Sequence, residues 1–139
     1  VRPGTVATLE QSDQILYVVG LNVPALRATV NGLATIRSLG IDMRKVRLVV
    51  SRADARDEVS LNQAREALGM PIFWRAPNDY RTVVSSINDG TPFVLASPRA
   101  EIAKNMQRLS EAVARGATAD TKGKGWLPSV TRRVFTPAV

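Results

Sequence analysis

The sequence predicts an α/β domain, a three-layer fold around a mostly parallel sheet. Three observations carry that expectation. Short apolar runs recur at 15–20 (ILYVVG), 46–50 (VRLVV) and 70–76 (MPIFWRA); the first, with its β-branched residues, has the length and flanks of a buried strand, and the others read as second and third strands. Segments with apolar residues at helical spacing lie between them. The connections are short, so successive strands should run parallel and be joined by right-handed helical crossovers.

Each element has its own local signal. After the first strand, Pro24 stands where a helix begins, and Leu26, Val30, Leu33 and Ile36 follow at helical spacing, with Gly40 as the stop. After the second strand, Ser60 and Gln63 have capping-box spacing, Leu61, Ala64 and Leu68 supply the inward face, and Gly69 closes the helix. Pro71 is tolerable at the start of the third strand, where the first residues need not donate to the ladder. Asn78 or Asp79 caps a helix to about residue 88, with Val83, Val84 and Ile87 inward and Asp89–Gly90 as the turn. Ser97 and Pro98 then read as N-cap and first helical residue of a last helix carrying Ile102, Met106, Leu109 and Val113 to Gly116.

Composition narrows the chemistry. The chain has 139 residues, 45% hydrophobic and 22% charged, enough for one domain with a real core. It holds no His and no Cys. Disulfides, thiolate nucleophiles, His-based triads, His/Cys zinc sites and imidazole switches are therefore excluded. No apolar run approaches the roughly 20 residues of a membrane span, and no signal peptide opens the chain. Neither GxxxxGK[ST] nor GxGxxG occurs, so the sequence shows no loop to cradle a phosphate.

Polar residues gather instead where two strands end. In a parallel α/β sheet, ligands sit beyond the carboxyl ends of the strands. The second strand runs into Ser51, Arg52, Ala53 and Asp54, and the third into Pro77, Asn78 and Asp79. A hydroxyl, two carboxylates and an amide on one edge could read a base. The plainer roles are a turn at Asp54 and a helix cap at Asn78 or Asp79. Asp57–Glu58 reads as a solvated loop.

The net charge of +7 is unevenly spread. Residues 1–116 hold 15 basic and 11 acidic residues, while 117–139 hold Lys122, Lys124, Arg132 and Arg133 against Asp120 alone. The organisation expected is an α/β portion over 1–116, a flexible linker over 117–125, and a basic apolar tail over 126–139. In that tail Leu127, Val130 and Val134 fall on one helical face, with Arg132 and Arg133 away from its centre and Trp126 and Phe135 adding aromatic area. Such a segment either touches an anionic membrane surface or folds back over an apolar groove. DNA is a lesser use for the charge: Arg27, Arg37, Lys104 and Arg108 could meet phosphates, but Glu101 and Glu111 interleave the last helix as on a solvated face.

From about Thr5 to Val113 the chain resembles the C-terminal half of a deviant-Walker ATPase of the MinD/ParA type. The resemblance is nearest to the CpaE/TadZ pilus-assembly and septum-site-determining branch. The matching stretches are TLEQSDQILYVVGLNVPALRA, VRLVVSRAD and PIFWRAPNDYRTVVSSINDGTPFVLASPRAEIAKNMQRLSEAV. The fold it implies is a P-loop-NTPase-like domain lacking its N-terminal half, in keeping with the narrow sheet and the mid-protein character of VRPGTVATLEQSD.

The resemblance also implies roles. VVSRAD matches a base-contacting strand end often written N-R-x-D, with the departure that Ser51 replaces Asn, and APND matches the loop over the adenine. Ser51, Arg52, Asp54, Pro77, Asn78 and Asp79 would then lie at the base. The implied cofactor is ATP with Mg in the full-length parent, and this chain, without the phosphate loop, would be inactive alone. The implied protein is a homodimer, either cytoplasmic or peripheral at the inner membrane face, that positions a pilus, secretion or division apparatus. The alternative is a non-enzymatic α/β scaffold that docks to a partner. A half-sheet should leave an open edge strand and a bare apolar face, to be covered by dimerisation or by the tail.

Overall fold

The computed structural model describes residues 3–54 and 57–116. The linker expected over 117–125 and the tail with Trp126, Leu127, Val130, Arg132, Arg133, Val134 and Phe135 lie outside the described residues. The elements run α1 (Pro3–Gln11), β1 (Ile15–Val19), α2 (Val23–Ser38), a 3-10 turn (Met43–Lys45), β2 (Val46–Ala53), α3 (Leu61–Leu68), β3 (Ile72–Pro77), α4 (Tyr80–Asp89), α5 (Phe93–Ala96) and α6 (Glu101–Ala114). The three strands form one sheet in the order β1-β2-β3, parallel throughout. The α/β fold with its parallel sheet is the one the apolar runs predict.

The strand pattern sorts side chains between two layers. Ile15 and Val19 of β1 and Val46, Leu48 and Val50 of β2 join Leu26, Leu33 and Ile36 of α2 and Ala64 and Leu68 of α3 in one cluster. Alternation along the strands sends Leu16, Val18, Arg47 and Val49 to the opposite face. There α6 packs on β3: the Trp74 indole N–H donates to the Asn105 side-chain Oδ1 at 2.8 Å, and the Asn105 side-chain Nδ2 donates to the Arg75 backbone carbonyl at 3.1 Å. Leu48 and Val50, both 0% exposed, sit at the centre. Burying each contributes about 1.5–3 kcal/mol.

Local chemistry fixes the ends of the helices. Asn22 caps α2 by accepting from the Ala25 N–H at 2.9 Å. The Ser60–Gln63 capping box is complete in both directions, as its spacing predicts. Gly69 and Gly90 end α3 and α4 in the left-handed conformation that favours glycine. At the 3-10 turn, Asp42 accepts from the Arg44 guanidinium, which holds its carboxyl below the usual carboxylate range.

Four features differ from the expectation. The opening residues form α1, which buries no residue fully and meets the core through half-buried Leu9. Val30 and Ile87 point to solvent, Ile87 at 71% exposure. Residues 93–96 form an extra short turn, α5. Finally, α6 starts at Glu101: the Ala100 N–H bonds back to the Ser97 carbonyl at 3.0 Å, a turn that occupies the Ser97–Pro98 segment.

Gly32 lies mid-helix on α2 for a packing reason. A Cβ there would overlap the Tyr17 hydroxyl and come within 3.0 Å of its Cζ. Gly32→Ala should therefore lower stability by about 1–3 kcal/mol despite its better helix propensity. Pairing it with Tyr17→Phe removes the overlapping oxygen and should restore most of the loss, as read by urea denaturation.

Candidate functional site

The two polar strand ends are locked side by side. Ala53 of β2 is the register partner of Pro77 of β3, and the Asn78 N–H donates to the Ala53 carbonyl at 3.3 Å. Ser51, Arg52, Asp54, Pro77 and Asn78 are thereby gathered on one edge of the sheet. The register explains how they are aimed. Val50 pairs with Arg75 and Ala53 with Pro77, so Ser51 and Arg52 oppose Ala76 alone. That is a bulge, which bends the strand and re-aims its side chains. Arg52 absorbs the bend at φ 52°, the only positive φ of a non-glycine among the described residues. Left-handed backbone costs an ordinary residue about 1–2 kcal/mol.

The loop beyond is tied down from within. The Asp54 N–H donates to the Asp57 carboxylate at 2.7 Å, and the Asp57 N–H returns to the Asp54 carbonyl at 3.3 Å. Asp57 is thus part of the turn, where its sequence context reads only as a solvated loop. Asp79 accepts from the Thr82 N–H at 3.3 Å and caps α4. Its carboxylate serves the helix, the plainer of the two roles its position allows.

Beside this edge lies an open hollow of about 220 Å³. Leu21, Val59 and Leu61 give it apolar walls, and Asp54, Asp57, Ser60 and Arg75 give it polar groups. The sequence singled out only Asp54 of these polar groups as a contact. Arg75 could have been noticed as a lone cation inside the apolar run IFWRA. The arrangement can hold a flat group against an apolar wall and offer it carboxylate acceptors and a guanidinium donor. Among the described residues no group of three or more His, Cys, Asp or Glu is placed to hold a metal ion. No helix among them is long and apolar enough to cross a membrane.

No protein-family model matches the chain, and no curated protein matches it. Solved structures do resemble it. A ParA family ATPase from Chlorobium tepidum TLS superposes with a TM-score of 0.74 at 19% identity, over 79% of this chain and 46% of that one. The MinD cell division protein of Aquifex aeolicus gives 0.70 at 17% identity, over 87% and 51%. The MinC:MinD cell division protein complex of the same organism gives 0.70 at 17%, over 90% and 52%. The chain has the α/β fold of ParA and MinD and spans about half the length of the structures it matches.

The bulge makes a stability prediction. Arg52→Gly relieves the left-handed backbone, whereas Arg52→Val puts a β-branched residue into it. The glycine variant should be the more stable of the two by about 1–3 kcal/mol in chemical denaturation.

Proposed function

We propose that this chain is part of a ParA/MinD-type ATPase and supplies the wall over the nucleotide base. The observation that carries the reading is the locked pair of strand ends at Ala53–Pro77, which brings Ser51, Arg52 and Asp54 beside Pro77 and Asn78. Asp54 and the Asn78 amide supply the acceptors and donors that a base edge needs, and Asp79 holds the Asn78 loop by capping α4.

The residues fit the base end of ATP and not its phosphate end. A triphosphate with Mg needs backbone N–H groups from a glycine-rich loop, a lysine and a hydroxyl, and the sequence has no such motif. ATP turnover therefore belongs to a longer parent protein. In that parent the nucleotide is sandwiched within a homodimer, and the assembly positions a pilus, secretion or division apparatus at the inner membrane face. The exposed Tyr80 and Ile87 of α4 and Leu95 of α5 form apolar surface near the site's own helix and favour contact with a partner protein over contact with DNA.

An NMR titration of the ¹⁵N-labelled chain with adenosine, and separately with ATP and Mg, tests the base-wall role. Both ligands should shift the amides of 51–54, Asn78 and Asp79, and their affinities should agree within about threefold because the discriminating phosphate contacts are absent. Asn78→Ala should weaken both equally. Unmoved amides at both strand ends would contradict the reading, as would ATP held far more tightly than adenosine.

A further inference from the structure

The ladder between β2 and β3 is interrupted twice, and little regular pairing lies between the interruptions. Leu48 pairs with Ile72 but Val49 pairs with Trp74, so Phe73 is an extra residue on β3. Val50 pairs with Arg75 and the next pair is Ala53 with Pro77, which is the bulge at Ser51 and Arg52. Trp74 and Arg75 are therefore an island of regular pairing between two bulges, each of which disrupts the ladder locally. Among the described residues β3 is also an outer strand, with β2 as its one strand neighbour. So short an island holds a strand weakly, yet the candidate site needs Pro77 and Asn78, just beyond it, to be placed closely.

One side chain bonds to both residues of the island. Asn105 Oδ1 accepts from the Trp74 indole N–H at 2.8 Å, and Asn105 Nδ2 donates to the Arg75 backbone carbonyl at 3.1 Å. The second bond is to main chain, so it fixes the path of the strand rather than the pose of a side chain. The helix that carries Asn105 is itself seated. Ile102 and Ala103 are buried beside it, and toward the far end the Gln14 side chain donates to the Val113 carbonyl at 2.9 Å. The pair of bonds needs an amide: a carboxylate could accept from the indole but has no proton for the carbonyl.

We propose that Asn105 is a positioning residue for the base wall. Through the Arg75 carbonyl it sets where β3 leaves the island, and so where Pro77 and Asn78 stand against Ala53. It acts from α6 through the backbone and touches no ligand itself. The inference rests on the base-wall reading for its ligand, but the geometry it assigns to the strand end does not.

Native-state hydrogen exchange and adenosine titration of the ¹⁵N-labelled full chain test it together. Asn105→Leu removes both bonds at similar volume, and Asn105→Asp keeps the acceptor for Trp74 while losing the donor to Arg75. Ile102→Val is the control, loosening the seat of α6 without touching the island. In both Asn105 variants the Asn78 amide should lose about tenfold in protection relative to Val50, the worth of one hydrogen bond in a local opening. Adenosine should bind both variants about tenfold more weakly. In Ile102→Val the ratio of Asn78 to Val50 protection and the adenosine affinity should both stay as they are in the unsubstituted chain. An unchanged ratio in the Asn105 variants would overturn the proposal. So would an equal fall in Ile102→Val, which would make Asn105 ordinary packing. Adenosine that leaves the unsubstituted chain unmoved would overturn the base-wall reading instead, and the exchange ratio, which needs no ligand, tells the two failures apart.

Discussion

The pairing of β2 with β3 at their carboxyl ends is the constraint on which the candidate site depends. Ser51, Arg52 and Asp54 lie more than twenty positions away from Pro77 and Asn78 in sequence. They become neighbours because Ala53 and Pro77 share a register and the Asn78 N–H closes onto the Ala53 carbonyl. The pairing is itself held from behind, by Leu48 and Val50 in the cluster with α2 and α3 and by Trp74 against Asn105 of α6. The core therefore sets the geometry of an edge that contributes little to stability of its own. That division of labour is common to α/β sheets, where a packed scaffold positions loops that bind.

The bulge at Ser51–Arg52 is a second consequence of that constraint. A regular strand would send Arg52 and Asp54 to one face in strict alternation. The extra residue breaks the alternation where the strand leaves the core, and Arg52 adopts a left-handed backbone to do it. Such strain persists only where surrounding structure over-determines it. Here the Asp54–Asp57 turn on one side and the Ala53–Pro77 pair on the other fix both ends of the distortion. The open hollow beside it has apolar walls from Leu21, Val59 and Leu61 and polar groups from Asp54, Asp57, Ser60 and Arg75.

Much of this was legible in the sequence, for identifiable reasons. β1 and β2 show as β-branched runs because alternate residues are buried on the sheet, and β3 shows as a short apolar run although only Ala76 of it is buried. Ser60 with Gln63, and a cap at Asn78 or Asp79 that the structure resolves to Asp79, show because capping is local chemistry, complete within four residues. What was not legible depends on contacts distant in sequence. Periodicity marks a stripe on a helix but not which edge of the stripe meets the sheet, and so Val30 and Ile87 read as inward although both are exposed. Helix α1 has no fully buried residue and meets the core through Leu9, too little to mark an apolar stripe. Arg75 joins the hollow only through the β2–β3 register, and nothing local marks Arg52 for a positive φ. The exposed Leu16 and Val18 were foreseeable as a consequence of a narrow sheet, but the seating of α6 follows from Gln14 and Asn105, whose partners no spacing rule reveals.

The most direct test of the locked strand ends is native-state hydrogen exchange at the Asn78 amide in the full chain. If the pairing is built into the fold, that amide should be protected to within about tenfold of Val49 and Val50, because it opens only when the sheet does. Exchange at the rate of an unstructured amide, with Val49 and Val50 still protected, would show that the strand ends separate in solution and that the edge is not a preformed site.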